Sequence, residues 1–437
     1  MRNTAALLAG ALGLALAFPG AAHAARPVLA GEATHGVPGG DVLVHYATTG
    51  TDAVPVDDTD ADGTPDFVES VATIAEAALD QIVAFGFRAP LSDGTLGGDA
   101  RLDIYLQNLV AADGHAATDS CTGNRCVGHV ISENDYVPLI YPSVTEGIQS
   151  VVPHEIFHLV QNAYVSGQPS TWTEGSAVWI VEELYGTTNA DFERFLPSFL
   201  TRSYRPFERA VSGFGDSYPY GAALWPYFLS HRFEIGAVVD AWEACESAEL
   251  LTAVDSMLQA RGSGLEASFT EFTRWNLFTG ARAAGGGYPA AGMWAQVPRE
   301  APVTTGGRIF IEGMSARYVP IFVTDKPRIA VTPSGGIRVA AWLVRDEGGD
   351  LTGGIELAER DGVLAATVDA PGGYTLVVTG LSRNTIATAV DLALTPPVEE
   401  PPIDDDGGCS AGGNSGANAA AILGVLMVAG RRRRRGR

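Results

Sequence analysis

Val151-Val152-Pro153-His154-Glu155-Ile156-Phe157-His158-Leu159-Val160-Gln161 carries two histidines four residues apart, with a glutamate beside the first. On an α-helix that spacing stacks both imidazoles on one face, where they can reach a single divalent ion. Glu155 is turned about 100° around the axis, unable to chelate with them but placed to take a proton from an attacking water. The pattern suits zinc and peptide hydrolysis. With 8 histidines in 437 residues, chance is a poor explanation for it. The flanks agree, because Ser143-Val144-Thr145-Glu146 reads as a capping box opening a helix through Tyr164 with Ile148, Val151, Val152, Ile156, Leu159 and Val160 as its apolar set. Pro153 is expected to kink that helix.

A catalytic zinc usually takes three protein ligands and keeps a fourth position for water. The extended pattern H-E-x-x-H-x-x-G-x-x-H fails, since Gln161 and Tyr164 stand where it needs glycine and histidine. After the turn-rich Val165–Ser170 a second helix is expected from Thr171 to about Tyr185, packed antiparallel to the first. Its Glu174 lies about 5 Å into that helix and His158 about 9 Å from the end of the first, a gap a carboxylate can close. The alternative is that Glu174 only caps its own helix, as Thr171-x-x-Glu174 is itself a capping box.

Glu174-Gly175-Ser176-Ala177 resembles the E-G-x-A helix start that follows H-E-x-x-H in the gluzincin branch of zinc metalloproteases. The resemblance implies a zincin-like fold, His154, His158 and Glu174 as zinc ligands, and Glu155 as general base. Some gluzincins hold the first histidine with an aspartate four residues after the third ligand; Val178 stands there, which leaves the partner of His154 to another carboxylate or carbonyl. An oxyanion donor is expected from Ser217–Trp225, similar to a Y-x-x-G-A-x-x-F segment of such proteases, and Tyr220 is the choice. His231 is a weaker candidate for the catalytic machinery.

A second metal signature precedes the first. Asp58-Thr59-Asp60-Ala61-Asp62-Gly63-Thr64-Pro65-Asp66-Phe67-Val68-Glu69 places oxygen donors at positions 1, 3, 5, 9 and 12 of a calcium loop, with glycine at the sharp turn. Asp58, Asp60, Asp62, Asp66 and Glu69 are therefore expected calcium ligands. A helix follows near Phe67 to Phe85, but no helix precedes, so the loop is expected to pin structure rather than do chemistry. The rival is an acidic solvated loop.

Length and 46% hydrophobic content allow two domains with full cores. Arg2, the apolar run Ala5 to Phe18 and Ala22-His23-Ala24 read as a signal peptide over residues 1–24, so the mature chain is expected to be secreted. Cys121 and Cys126 are then expected to close a small disulfide loop, and Cys245 to be a buried thiol. The formal charge is −23, and loss of Arg2 and the six C-terminal arginines leaves 21 basic against 51 acidic residues. Such a surface repels nucleic acid and anionic lipid.

Residues 25–284 are expected to form the metalloprotease domain, with short strands at 101–106, 126–131 and 136–141 before the zinc helix and helices from Asp191 to about Gly280. Residues 127–141 are the candidates for an edge that takes a protein or peptide substrate by strand addition, and His129 is expected to be merely packed or exposed. After Gly285-Gly286-Gly287 the pattern changes to short alternating runs, expected to be a β-sandwich over 303–395. The fold class is thus α+β. An acidic Pro-rich linker, 396–408, leads to a tail, 409–437, in which Gly408-Cys409, the apolar run Ala419 to Gly430 and Arg431–Arg435 resemble the myxobacterial C-terminal sorting signal. That resemblance implies processing at Cys409, transient membrane anchoring and cell-surface attachment. Together these motifs are similar to a family of secreted myxobacterial metalloproteases. Two rivals are a serine hydrolase, since Gly408–Gly412 matches G-x-S-x-G, and an inert surface adhesin that keeps the protease fold. The first fails because Ser410 lies between a linker and a tail, not at a strand-to-helix elbow.

Overall fold

The computed structural model describes residues 25–395, except 111, 138–139, 187–189, 210–212, 214, 284 and 384–385. The expected signal peptide, linker and sorting tail lie outside the described residues. The N-terminal sheet holds β1 (Ala33–His35), β2 (Val42–Tyr46), β3 (Leu102–Gln107), β4 (Gly114–Thr122) and β5 (Arg125–Glu133) in the order β1-β2-β3-β5-β4. Strands β2, β3 and β5 run parallel, while β1 and β4 pair antiparallel at the two edges. Alternation decides the faces. Val42, Val44, Ile104, Leu106 and Val130 point into the main core with α1 (Asp66–Ala84) and α2 (Val144–Tyr164), while His45, Asp103, Tyr105 and His129 occupy the opposite face.

Two strand expectations need correction. No strand forms among the described residues of 136–141, where Tyr136 takes φ 57° and turns the chain away from an extended path. Strand β5 lies between β3 and β4, and its residues 130–133 pair with β3, so that stretch has no free edge for a substrate. The free edge on this side of the sheet belongs to β4, whose sequence Gly-His-Ala-Ala-Thr-Asp-Ser-Cys-Thr has too few apolar residues to read as a strand. It is held by β5 on one side only, and the expected Cys121–Cys126 disulfide closes the hairpin.

Helix α2 runs through Pro153 without ending, and Ser143 Oγ accepts from the Glu146 amide as the capping box requires. Next come α3 (Ser170–Tyr185), α4 (Ala190–Leu200), the short α5 (Tyr218–Gly221), α6 (Leu224–Phe233), α7 (Gly236–Cys245), α8 (Leu250–Ala260) and α9 (Leu265–Leu277). Cys245 is a buried free thiol. The β-rich C-terminal region then forms two antiparallel sheets. One orders β10 (Ile355–Glu356), β9 (Val339–Arg345), β13 (Gly372–Gly380) and β7 (Ser315–Val323). The other orders β11 (Ala358–Arg360), β12 (Val363–Thr367), β8 (Arg328–Pro333), β14 (Thr388–Thr395) and β6 (Gly306–Ile311). Val319, Leu343 and Leu376 of one sheet meet Ile311, Val331 and Val390 of the other in a shared core. The first sheet also rests on α9, where the Tyr318 hydroxyl donates to the Thr273 carbonyl at 2.9 Å and Thr273 and Thr379 hydroxyls bond at 2.7 Å. The fold is α+β, with no apolar helix among the described residues long enough to cross a membrane.

Candidate metal centre

Helix α3 starts at Ser170, with Pro169 in the capping position and no side-chain cap. Glu174 is therefore free of the capping role that Thr171 offered it, and the helix turns its carboxylate toward α2. Glu174 Oε2 lies 3.4 Å from His154 Nε2 and 3.4 Å from His158 Nε2, and the two imidazole nitrogens are 3.1 Å apart. Glu174 Oε2 is enclosed yet makes no hydrogen bond. Ligands 2.0–2.1 Å from one tetrahedral zinc would stand about 3.3 Å from each other. The observed triangle has that size, and its donors, two imidazoles and a carboxylate, are the types zinc takes, so the residues fit the ion.

Electrostatics show how tightly these groups face one another. Burial alone would lower the His158 pKa, but the nearby charge of Glu174, aided by Glu155 and Gln161, carries it up to about 9. Burial alone would raise the Glu174 carboxyl, yet both histidines hold it well below the usual carboxylate range. Glu155 is buried beside them, near enough for its charge to act on His158 and Tyr220.

Two glycines make room for this arrangement. A Cβ on Gly114, at the start of edge strand β4, would lie 2.5 Å from Val151 Cγ1 and 3.1 Å from Glu155 Cγ, so only glycine lets the strand approach the glutamate this closely. A Cβ on Gly175 would meet the Ala222 backbone at 3.0 Å. Without it, the segment after α5 rests against α3 one residue past Glu174. Tyr220 is thereby delivered to the centre: its ring lies parallel to His154, centroids 6.1 Å apart. Burial, the charges of Glu174 and Glu155 and a hydrogen bond to Glu174 raise the Tyr220 pKa well above the ordinary phenol value, so it stays protonated. His231 is elsewhere, its ring on Tyr227 and Nδ1 at 2.9 Å from the Tyr227 carbonyl.

Two neighbours escaped the sequence reading. Asp191, on α4, acts on His154 with its charge; burial raises its own carboxyl while Arg194 and His154 oppose the rise. Gln161 bonds His158 Nδ1 at 2.9 Å and donates to the Thr173 carbonyl at 2.8 Å. Its position three residues after His158, on the same helical face, was the available signal.

Of the five expected calcium ligands, Asp58, Asp60 and Asp62 bring carboxylate oxygens within 4.8 Å of one another, and Asp58 Oδ1 is enclosed without a partner. Oxygens 2.3–2.6 Å from one calcium can be at most about 5 Å apart, so this trio fits. Asp66 and Glu69 are not brought into it. Both Asp66 oxygens are taken by Thr59, from the amide at 2.9 Å and the hydroxyl at 2.6 Å, which ties the loop to the start of α1. Glu69 sits in the first turn of α1, where desolvation and the charges of Asp60 and Asp62 raise its pKa.

No family model and no curated protein matches the chain. Among solved structures, the pre-peptidase C-terminal domain of a Bacillus anthracis collagenase aligns at 18% identity over 23% of this chain and 100% of that one, with a TM-score of 0.20. The lysozyme inhibitors PliG of Salmonella Typhimurium and Aeromonas hydrophila align at 15% and 12% identity over 22% of this chain and 99% and 96% of theirs, with TM-scores of 0.17 and 0.18. Scores this low carry no argument about fold or function.

Proposed function

We propose that this chain is a secreted, zinc-dependent endopeptidase with a zincin-like catalytic domain over residues 25–284. The observation that carries the proposal is the triangle of His154, His158 and Glu174 donor atoms, with edges of 3.1–3.4 Å and an enclosed oxygen that makes no hydrogen bond. Zinc held by these three residues supplies Lewis acidity, which makes a water nucleophilic near neutral pH and polarises a carbonyl. Glu155 accepts the proton of the attacking water and returns it to the leaving amine. Tyr220 donates a hydrogen bond to the oxygen that becomes negative as the carbonyl is attacked. The free edge of β4 offers backbone groups to an extended peptide, with its Gly114 end beside Glu155. Calcium held by Asp58, Asp60 and Asp62 pins the loop ahead of α1, and the C-terminal tail supplies transient membrane anchoring before surface attachment.

The test combines metal analysis of the purified protein with digestion of a mixed peptide library. One zinc per chain and cleavage are expected, and Glu155→Gln is expected to lose cleavage by about 10²–10⁴-fold at unchanged zinc content. Zinc binding without cleavage of any peptide would point instead to an inert adhesin. Wild-type rates from Glu155→Gln would remove the general base.

A further inference from the structure

Beyond the ligands, one side chain touches both helices that carry them. Gln161 Nε2 faces the Thr173 carbonyl at 2.8 Å and Ser176 Oγ at 3.2 Å. A carbonyl can only accept, so the amide nitrogen must lie on that side and the amide oxygen on the other. That oxygen, Oε1, is 2.9 Å from His158 Nδ1 and can only accept as well. His158 Nδ1 therefore keeps a proton in either charge state, and Nε2, which points at His154 and Glu174, is the nitrogen that can give its proton up to bind a metal. Ser176 Oγ in turn donates to the Trp172 carbonyl at 2.6 Å, which fixes the lone pairs it offers to Gln161. Gln161 is 3% exposed, so no water competes for its amide.

The covalent chain adds a second consequence. Thr173 immediately precedes Glu174, so the same amide that orients one ligand also holds the backbone that carries another. Its three hydrogen bonds connect His158 on α2 with the turn of α3 that presents Glu174. A ligand triangle built from two helices needs some such cross-tie, because packing of apolar faces tolerates sliding and rotation that metal coordination does not.

We infer that Gln161 is the positioning residue of the metal centre: it fixes the His158 tautomer for ligation through Nε2 and sets the spacing between His158 and Glu174. This inference rests on the zinc reading of the same site. Two measurements test it. Zinc affinity of the full chain is measured by competition with a chromophoric chelator for wild type, Gln161→Leu and Gln161→Glu. Gln161→Leu is expected to raise the zinc dissociation constant about 10-fold to 100-fold. Gln161→Glu, which keeps the acceptor for Nδ1 but loses both donors to α3, is expected to fall between the two. The second measurement needs no variant: long-range ¹⁵N–¹H correlation of the zinc-loaded wild type, expected to show His158 ligated through Nε2 with a proton on Nδ1. Wild-type affinity in Gln161→Leu, or ligation of His158 through Nδ1, overturns the inference while leaving the zinc reading intact. A wild-type chain that takes up no zinc at all overturns the zinc reading itself.

Discussion

Two clusters of buried histidines and carboxylates lie on opposite sides of the N-terminal sheet, and they differ in what stands at their centre. On the face away from α2, Arg26 pairs with Asp93, Asp103 and Asp119, whose side chains are almost wholly buried. His45 bridges Glu32 and Asp103 at 2.8 Å each, and His129 meets Asp119 at 3.0 Å. There the chain supplies its own cation. At the candidate metal centre, no arginine or lysine pairs with Glu174 among the described residues; its ionic partners are the two histidines. Buried carboxylates need compensation in either place, and where histidine protons are the only internal counter-charge a metal ion can take their place. Residue type alone would not separate the two clusters; the occupant does.

The difference is sharpest if the internal cation is removed. Arg26→Ala leaves three carboxylates facing one another with only His45 to offset their charge, and is expected to cost about 3–5 kcal/mol in urea unfolding. Zinc affinity should not change, because the cluster is separated from α2 by the sheet. An Arg26→Ala protein as stable as wild type would mean the pairing is compensated elsewhere, and a loss of zinc affinity would mean the clusters are coupled.

That pairing also marks the limit of what the sequence discloses. The meeting of His154, His158 and Glu174 was legible because His154, Glu155 and His158 are fixed by one helical repeat and Glu174 by the next helix, so sequence distance translates directly into space. The Arg26 cluster was not, because residues 26, 45, 93, 103, 119 and 129 meet only after the strands have found their order. The same reason hid β4: a strand that pairs on one side alone can be mostly polar, and its neighbour β5 carries the apolar signal instead. His129, read as merely packed or exposed, is buried and bonded in this cluster. The clustering of Asp58, Asp60 and Asp62 was legible for the same reason, their short spacing, whereas Asp66 bonding Thr59 was a matter of loop geometry that spacing does not give.

The acidic loop of Asp58, Asp60 and Asp62 is a third arrangement, an open carboxylate cluster at the surface. If external cations do there what Arg26 does inside, calcium at 100 times its dissociation constant adds about 2.7 kcal/mol, a melting-temperature rise on the order of a few degrees. The double variant Asp60→Ala/Asp62→Ala is expected to lose that rise. Equal calcium responses in variant and wild type would take the loop out of the comparison.

The smallest expected effect separates the two histidines of the Arg26 cluster. Both nitrogens of His45 face carboxylates, and although burial alone would lower its pKa, Asp103 and Glu32 raise it above the ordinary value. Burial lowers that of His129, whose Nε2 is enclosed without a partner and whose neighbours include Arg26. His45 therefore favours the proton in the folded state and His129 does not. A group whose folded pKa exceeds its unfolded value, about 6.5, stabilises fully below that value and loses the contribution as pH rises through the folded value. The sign is opposite for His129: its contribution is present above the unfolded value and lost as pH falls through the lowered one. Unfolding free energy measured across this range should thus decline on the alkaline side in wild type and decline less in His45→Gln. His129→Gln should leave the alkaline decline in place and flatten the acidic one. If His45→Gln follows the wild-type curve on the alkaline side, His45 contributes no charge to the Asp103–His45–Glu32 bridge in the fold, and Arg26 alone balances the aspartates.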